Sequence, residues 1–392
     1  MAQPKNFGFG DDEKMLRDSA KKFFADNFPT DRLHKLVAED PDPNRMPESP
    51  WDKSLWQKIV ELGWTAVAVP ESAGGVGMSM VAVAALAEEV GRAAFPSPFI
   101  PTVNATFLLN SCSKFAKNSN TADQYLAHIV DGKAFSLIYL DQQGEMPAAA
   151  NSGNSNTGNS TFNVSFAADK LNGVGYFVQD PMKVDFYIVL AANGTDTGLF
   201  VVAANAEGVS VELDAIVDIT RDQGRVSFNN VTVTEENILC LTGGEAILAM
   251  AEPSMLVTIA ADMCGAAEWQ LQTTNEYAKM REQFGHPIGF FQAVKHPIVD
   301  MMVMIDQARS HVYNAACAID CEPEHAEKYA RMAKSAAADA GVYCSSRSVQ
   351  LHGGIGFTWE CYLHVYFKRQ MHNSVLMGDA TYQRARLAEL MF

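Results

Sequence analysis

The chain is conspicuous first for what it lacks. It has no Cys-x-x-Cys pair, no basic stripe, and no Gly-Lys-Ser/Thr after its glycine-rich stretch Pro70–Gly77. The last absence excludes a phosphate loop of the nucleotide-hydrolase kind. The seven cysteines, at 112, 240, 264, 317, 321, 344 and 361, are odd in number. That pattern fits inert thiols in a reducing cytosol, with Cys317 and Cys321 one helical turn apart. Forty-six acidic against thirty basic residues leave a net charge of −16, so no surface for neutralising nucleic-acid phosphates is expected. The start, Met1 to Asn6, has no signal-peptide apolar core, and no apolar run approaches the ~20 residues that span a bilayer. The expectation is a cytoplasmic chain without a membrane span. The nine histidines show no metal-ligand spacing and no serine or cysteine nucleophile motif is evident, so no metal site is expected.

What is present is ample apolar material, 48% of 392 residues, enough for two or three packed domains. Residues 1–133 read as helices. Asp11-Asp12-Glu13 offers a cap and an acidic first turn, Ser49-Pro50-Trp51-Asp52 reads as a helix start capped by Ser49, and Ser79 caps an alanine-rich run to Ala94. Residues 134–241 change character. Strands are expected at 135–140, 162–166, 186–190, 199–202 and 225–228, with turns at Asn172-Gly173 and Asn193-Gly194. The Asn/Ser/Gly-rich stretch 148–160 reads as a mobile loop. Residues 242–392 return to helix, with long segments near 245–281, 290–321 and 324–351, in the manner of a four-helix bundle. The fold class is therefore α+β: an N-terminal helical domain, a middle β-domain and a C-terminal bundle.

Two segments carry chemistry. In Arg281-Glu282-Gln283-Phe284-Gly285-His286-Pro287-Ile288, continuing to Phe291-Gln292, Arg281 offers a planar fork of donors suited to a diphosphate and Phe284 an aromatic face. In Gln350-Leu351-His352-Gly353-Gly354, the adjacent glycines let backbone N–H groups approach an anion unobstructed. His352 reads as structural rather than catalytic.

These segments resemble the carboxy-terminal half of acyl-CoA dehydrogenases. Val69-Pro70-Glu71 with Gly74-Gly75-Val76-Gly77, and Glu88-Glu89-Val90-Gly91-Arg92-Ala93, extend the resemblance to the amino-terminal half. The resemblance implies that FAD is bound through Arg281, Gln283, Phe284, Gln292, Gln350, Gly353 and Gly354. It also implies that these residues reach a cofactor held mainly by a neighbouring chain.

The same resemblance exposes losses. The family's flavin-ring signature does not appear at Leu140–Pro147, and at Tyr176–Asp180 Gln179 replaces the expected hydroxyl donor, although Phe177 can stack. Desaturation of an acyl thioester needs a base for the α-proton. Met377 stands at the usual glutamate position and Met255 at the alternative one. The implied role is a subunit of a heteromeric acyl-CoA dehydrogenase, most simply α2β2, whose partner chain supplies the glutamate. The implied substrate is an acyl-CoA such as a steroid side-chain thioester, and the implied acceptor an electron-transfer flavoprotein. Two alternatives stay open at this level. One is a self-sufficient homotetramer using Glu252 or Asp379 as a displaced base. The other is a catalytically silent assembly or binding module.

Overall fold

The computed structural model describes residues 6–38, 50–115, 119–144 and 163–392. Six helices come first: α1 (Asp11–Asn27), α2 (Thr30–Ala38), α3 (Lys53–Glu61), α4 (Met80–Arg92), α5 (Phe99–Phe115) and α6 (Ser119–Val130). Their starts follow side-chain chemistry. Glu13 accepts from the Gly10 N–H at 3.0 Å, and Ser79 Oγ from the Ala82 N–H at 3.3 Å. The cap of α3 is Asp52, whose Oδ1 accepts from Ser54 and Leu55 N–H groups at 3.0 and 3.1 Å. The expected Ser49 cap lies outside the described residues, and the carboxylate three positions later does the capping.

The middle block is one sheet of β1 (Phe135–Ile138), β2 (Val164–Ala167), β3 (Lys170–Gln179), β4 (Phe186–Asn193), β5 (Asp196–Ala203), β6 (Val209–Leu213), β7 (Gln223–Thr232) and β8 (Ile238–Cys240). Its order is β6-β7-β3-β2-β4-β5-β8, with β1 beside β4. Pairing is antiparallel except β1 with β4 and β2 with β4. Asn193-Gly194 does turn β4 into β5, with Gly194 at φ +63°. Asn172-Gly173 does not turn; it lies inside β3. The β2–β3 turn is made instead by Ala168 and Asp169, both left-handed at φ +48° and +58°. The expected mobile loop at 148–160 falls outside the described residues.

The remaining helices are α7 (Gly244–Met280), α8 (Gln292–Cys321), α9 (Ala326–His352), α10 (Leu363–Val375) and α11 (Ala380–Met391). Between α7 and α8, β9 (Glu282–Gln283) and β10 (His286–Pro287) pair as a small antiparallel hairpin. α7 packs against α4, α5, α8 and α9, and its first turn meets β5. It corrects one expectation, because by length and composition it is apolar enough to cross a membrane. Its apolar window is 83% buried inside the protein, so it is the central core helix of the fold. The reason for so many small apolar residues is close packing. Where α4 crosses α7, a Cβ on Gly91 would stand 2.0 Å from the Asp262 carbonyl oxygen, and one on Gly265 1.7 Å from that of Glu88. Gly265→Ala is therefore expected to force the helices apart and to destabilise by about 1–3 kcal/mol, read as a lower urea midpoint.

Buried charges hold the sheet to the bundle. Asp262 on α7 accepts from Arg369 Nε and Nη2 at 3.1 and 2.6 Å and from Asn373 Nδ2 at 2.7 Å, and it pairs with Arg221 Nη2 at 3.2 Å. Arg369 Nη1 reaches across to Thr220 Oγ1 at 2.8 Å. One carboxylate thus ties α7, α10 and the segment leading into β7.

Candidate functional site

The residues expected to contact the nucleotide lie at one end of the bundle. α7 ends at Met280, and Arg281 follows in extended backbone. The β9–β10 hairpin turns at Phe284 and Gly285, both left-handed, at φ +54° and +78°. Phe284 is 89% exposed at that tip. Gln350 ends the exposed side of α9's last turn, and Gly353 and Gly354 follow. The two segments are brought together by their neighbours: Tyr277, one turn before Arg281, stacks on His352, with ring centroids 4.1 Å apart. His352 Nδ1 also bonds the Ser348 carbonyl at 2.8 Å, and burial pushes its pKa below the ordinary value. That is the structural role expected for it.

Arg281, Gln283, Phe284, Gln292, Gln350, Gly353 and Gly354 are all exposed. Among the described residues the Arg281 guanidinium makes no ion pair. Where a Cβ would stand on Gly353 or Gly354 there is no atom within 4 Å. A free guanidinium, a bare backbone edge and an exposed aromatic ring together suit a diphosphate and a nucleobase arriving from outside the chain.

The ring end is different. Gln179, at the end of β3, folds back on its own strand. Its Nε2 donates to the Phe177 carbonyl and to Gln223 Oε1, both at 3.1 Å, which uses both of its N–H bonds. Gln223 Oε1 also receives a contact from His372 Nε2 at 3.2 Å. No amide hydrogen of Gln179 remains for a flavin. The residues present therefore fit the nucleotide end of FAD and do not fit its ring through Gln179.

Both positions at which a base was expected face one largely apolar cavity of about 50 Å3 between α5, the sheet and α7. Met255 and Met377 line it, with Ile100, Leu137, Ile259 and Leu376 among others; no carboxylate is among its lining residues. Met377 is held in place through its backbone. It is left-handed, φ +56°, and Gln383 Nε2 donates to its carbonyl. Lys334 Nζ donates to the carbonyls of Ser374 and Gly378, both at 3.1 Å, and burial brings this lysine's pKa down to about 8.

The two candidate displaced bases are occupied elsewhere. Glu252 Oε2 is bound to Arg331 Nη2 at 3.0 Å. Burial raises its carboxyl pKa against the pull of that guanidinium, yet it does not line the cavity. Asp379 caps α11, its Oδ1 accepting from the Tyr382 N–H at 2.7 Å. Sequence reasoning missed Asn104, Arg221 and Tyr139, which also line the cavity. No local motif marks them, since they come from three distant elements.

A helical domain, a sheet and a helical bundle, in that order along the chain, are the architecture of flavoproteins that act on acyl thioesters. The acyl-CoA dehydrogenase N-terminal domain matches residues 10–133 and the C-terminal domain residues 256–392, and the chain belongs to the acyl-CoA dehydrogenase family. Its members are FAD-binding oxidoreductases acting on CH–CH bonds. Among relatives, the chain is 29% identical over 373 residues to the acyl-CoA dehydrogenase IpdE2 of Mycobacterium tuberculosis, covering 94% of this chain and 93% of that one. Among solved structures it is similar to the Tcur3481–Tcur3483 steroid ACAD, at 27% identity and a TM-score of 0.81, with 98% of each chain covered. The ChsE4–ChsE5 complex from Mycobacterium tuberculosis shares the fold, with a TM-score of 0.83 at 23% identity and 98% of each chain covered.

Proposed function

We propose that this chain is the subunit without a catalytic base in a heteromeric acyl-CoA dehydrogenase, assembled as α2β2. A partner chain of the same family brings the glutamate and the pocket for the flavin ring. This chain completes the FAD site across the interface with Arg281, Gln283, Phe284, Gln292, Gln350 and the Gly353-Gly354 backbone. When bound, FAD supplies the two-electron acceptor for α,β-desaturation of an acyl-CoA.

The observation that carries this reading is the pair of methionines. Met255 and Met377 occupy both positions from which the family removes the α-proton, and a thioether accepts no proton at working pH. Glu252 and Asp379 are held by Arg331 and by the α11 N-terminus. The committed amide of Gln179 supports the same division of labour. A bulky acyl group, such as a steroid side-chain thioester, is the substrate class we favour; the steroid relative among the solved structures supports it. An electron-transfer flavoprotein is the acceptor we propose on family grounds.

Co-expression with a glutamate-bearing partner is expected to give a yellow complex with one FAD per pair of chains, bleached by acyl-CoA. Exchange of the partner's glutamate for glutamine should abolish bleaching while FAD stays bound. The proposal fails if this chain alone binds one FAD per subunit and bleaches it. No flavin in the assembled pair would leave only a binding module.

A further inference from the structure

The thiols of Cys317 and Cys321 take no part in the cofactor contacts described above. Both lie at the end of α8, whose last residue is Cys321. Four residues of helix separate them by about 6 Å along the axis and only about 40° around it, so the two side chains leave on one face. Cys317 is 2% exposed within the core, and Cys321 is half-buried at its edge. The two side chains are hydrogen-bonded to each other, which brings their sulfurs into contact. The other five cysteines are spread over separate elements: Cys112 on α5, Cys240 on β8, Cys264 on α7, Cys344 on α9 and Cys361 before α10.

The helix end that carries the pair is held in place. Asp320 Oδ2 accepts from the Met80 N–H at the start of α4, at 2.8 Å. The Glu322 N–H closes the last turn on the Ala318 carbonyl at 2.7 Å, and a turn before Cys317 the Tyr313 hydroxyl donates to Glu88 Oε2 at 3.0 Å. The sulfurs therefore keep their spacing in the folded chain, and a ligand that bridges them finds the site already formed. Burial, and after it the neighbouring Cys321, push the Cys317 thiol above its ordinary pKa, so it stays protonated at neutral pH. A protonated thiol is a poor nucleophile towards peroxides and alkylating agents, which is the opposite of what a redox sensor needs.

We propose that Cys317 and Cys321 form a chelating dithiol site for trivalent organic arsenic. A bent trivalent centre joins two sulfurs that already touch, whereas a two-coordinate soft cation bonds linearly and asks for a wider gap. The hydrated reagent, an organoarsonous acid with two As–OH groups, meets the half-buried Cys321 first. One As–S bond forms, one As–O bond breaks, and the thiol proton leaves with the hydroxide as water. Cys317 displaces the second hydroxide in the same manner, so two waters are released and no atom changes oxidation state. That second step is intramolecular, and the gain in affinity comes from it. Cys317 is 25 residues along α8 from Gln292, about 38 Å at 1.5 Å per residue, so the site stands apart from the cofactor end and from the role proposed above.

The test treats the full chain under native conditions with one equivalent of phenylarsine oxide and follows it by mass spectrometry. The expected product gains one phenylarsenic unit and loses two hydrogens. It should survive a wash with excess 2-mercaptoethanol and be stripped by 1,2-ethanedithiol. Peptide mapping is expected to place the arsenic across Cys317 and Cys321. Cys321→Ser should weaken retention by about 100-fold or more, because the chelate becomes a single bond, while Cys361→Ser should leave it unchanged. The contrast between the two washes on the unaltered chain keeps the test decisive if a variant does not fold. Loss of the arsenic in the monothiol wash, or its mapping to any other cysteine, overturns the proposal.

Discussion

Arg281→Ala is expected to lower the affinity of the assembled complex for FAD by about 10- to 100-fold. The figure follows from the worth of hydrogen bonds to a charged group, about 1.5–3 kcal/mol, and from 1.4 kcal/mol per tenfold change. The fold should not notice the change, because the side chain is exposed and carries no ion pair among the described residues. Titration of FAD into the apo complex reads the first effect and a thermal melt of the chain reads the second. Arg281→Lys should recover only part of the loss, since it keeps the charge and gives up the planar fork. An unchanged dissociation constant would remove Arg281 from the cofactor site.

The largest effect on stability is expected at Asp262. Its carboxylate is fully buried between Arg369, Arg221 and Asn373, so Asp262→Ala leaves two guanidinium groups in the interior without their shared partner. Loss of one member of a buried ionic cluster of this kind destabilises by about 3–5 kcal/mol. Burial alone would raise the Asp262 pKa, but Arg369 and Arg221 together hold it below its ordinary value. A depressed carboxyl stabilises the fold above its unfolded pKa, and that stabilisation is lost as pH falls through the folded one. The difference between parent and variant in urea unfolding should therefore be full at neutral pH and narrow below about pH 4. A difference under about 1 kcal/mol at pH 7 would show that the guanidinium groups find other partners.

The helical parts of this fold were legible because their signals are local. Ser79 caps α4 and Asp379 caps α11, and both can be read from a few consecutive residues. The sheet was less legible. Asn172-Gly173 carries a strong turn signature, yet it sits inside β3, because Gly173 packs where a Cβ would stand 1.9 Å from the Asn163 carbonyl oxygen. Glycine was needed there for close approach, and a turn-forming pair and a tight strand contact look alike in sequence. β6 was missed because its burial alternates between half-buried and exposed along an edge, without a strong apolar run. The apolar stretch in α7 was underestimated because Glu252 and Asp262 interrupt it; in the folded chain both are buried and paired.

The site divides the same way. The two methionines and the glycine pair could be placed by counting along the chain. The commitment of Glu252 to Arg331, 79 positions away, could not. Neither could the presence of Asn104, Gln179 and Arg221 in the lining of one cavity, which depends on how α5, β3 and the segment before β7 are packed.

α7 reaches from the sheet, where its first residue Gly244 lies against Thr197 and Gly198, to Arg281 directly after its last turn. At 1.5 Å per residue its 37 residues extend for about 55 Å, and Met255 lies roughly 39 Å from Arg281 along that axis. A one-residue deletion anywhere between them would retract the guanidinium by about 1.5 Å and swing it by about 100° around the rod. Connecting loops elsewhere can change length with little consequence, whereas this span behaves as a ruler with a fixed phase.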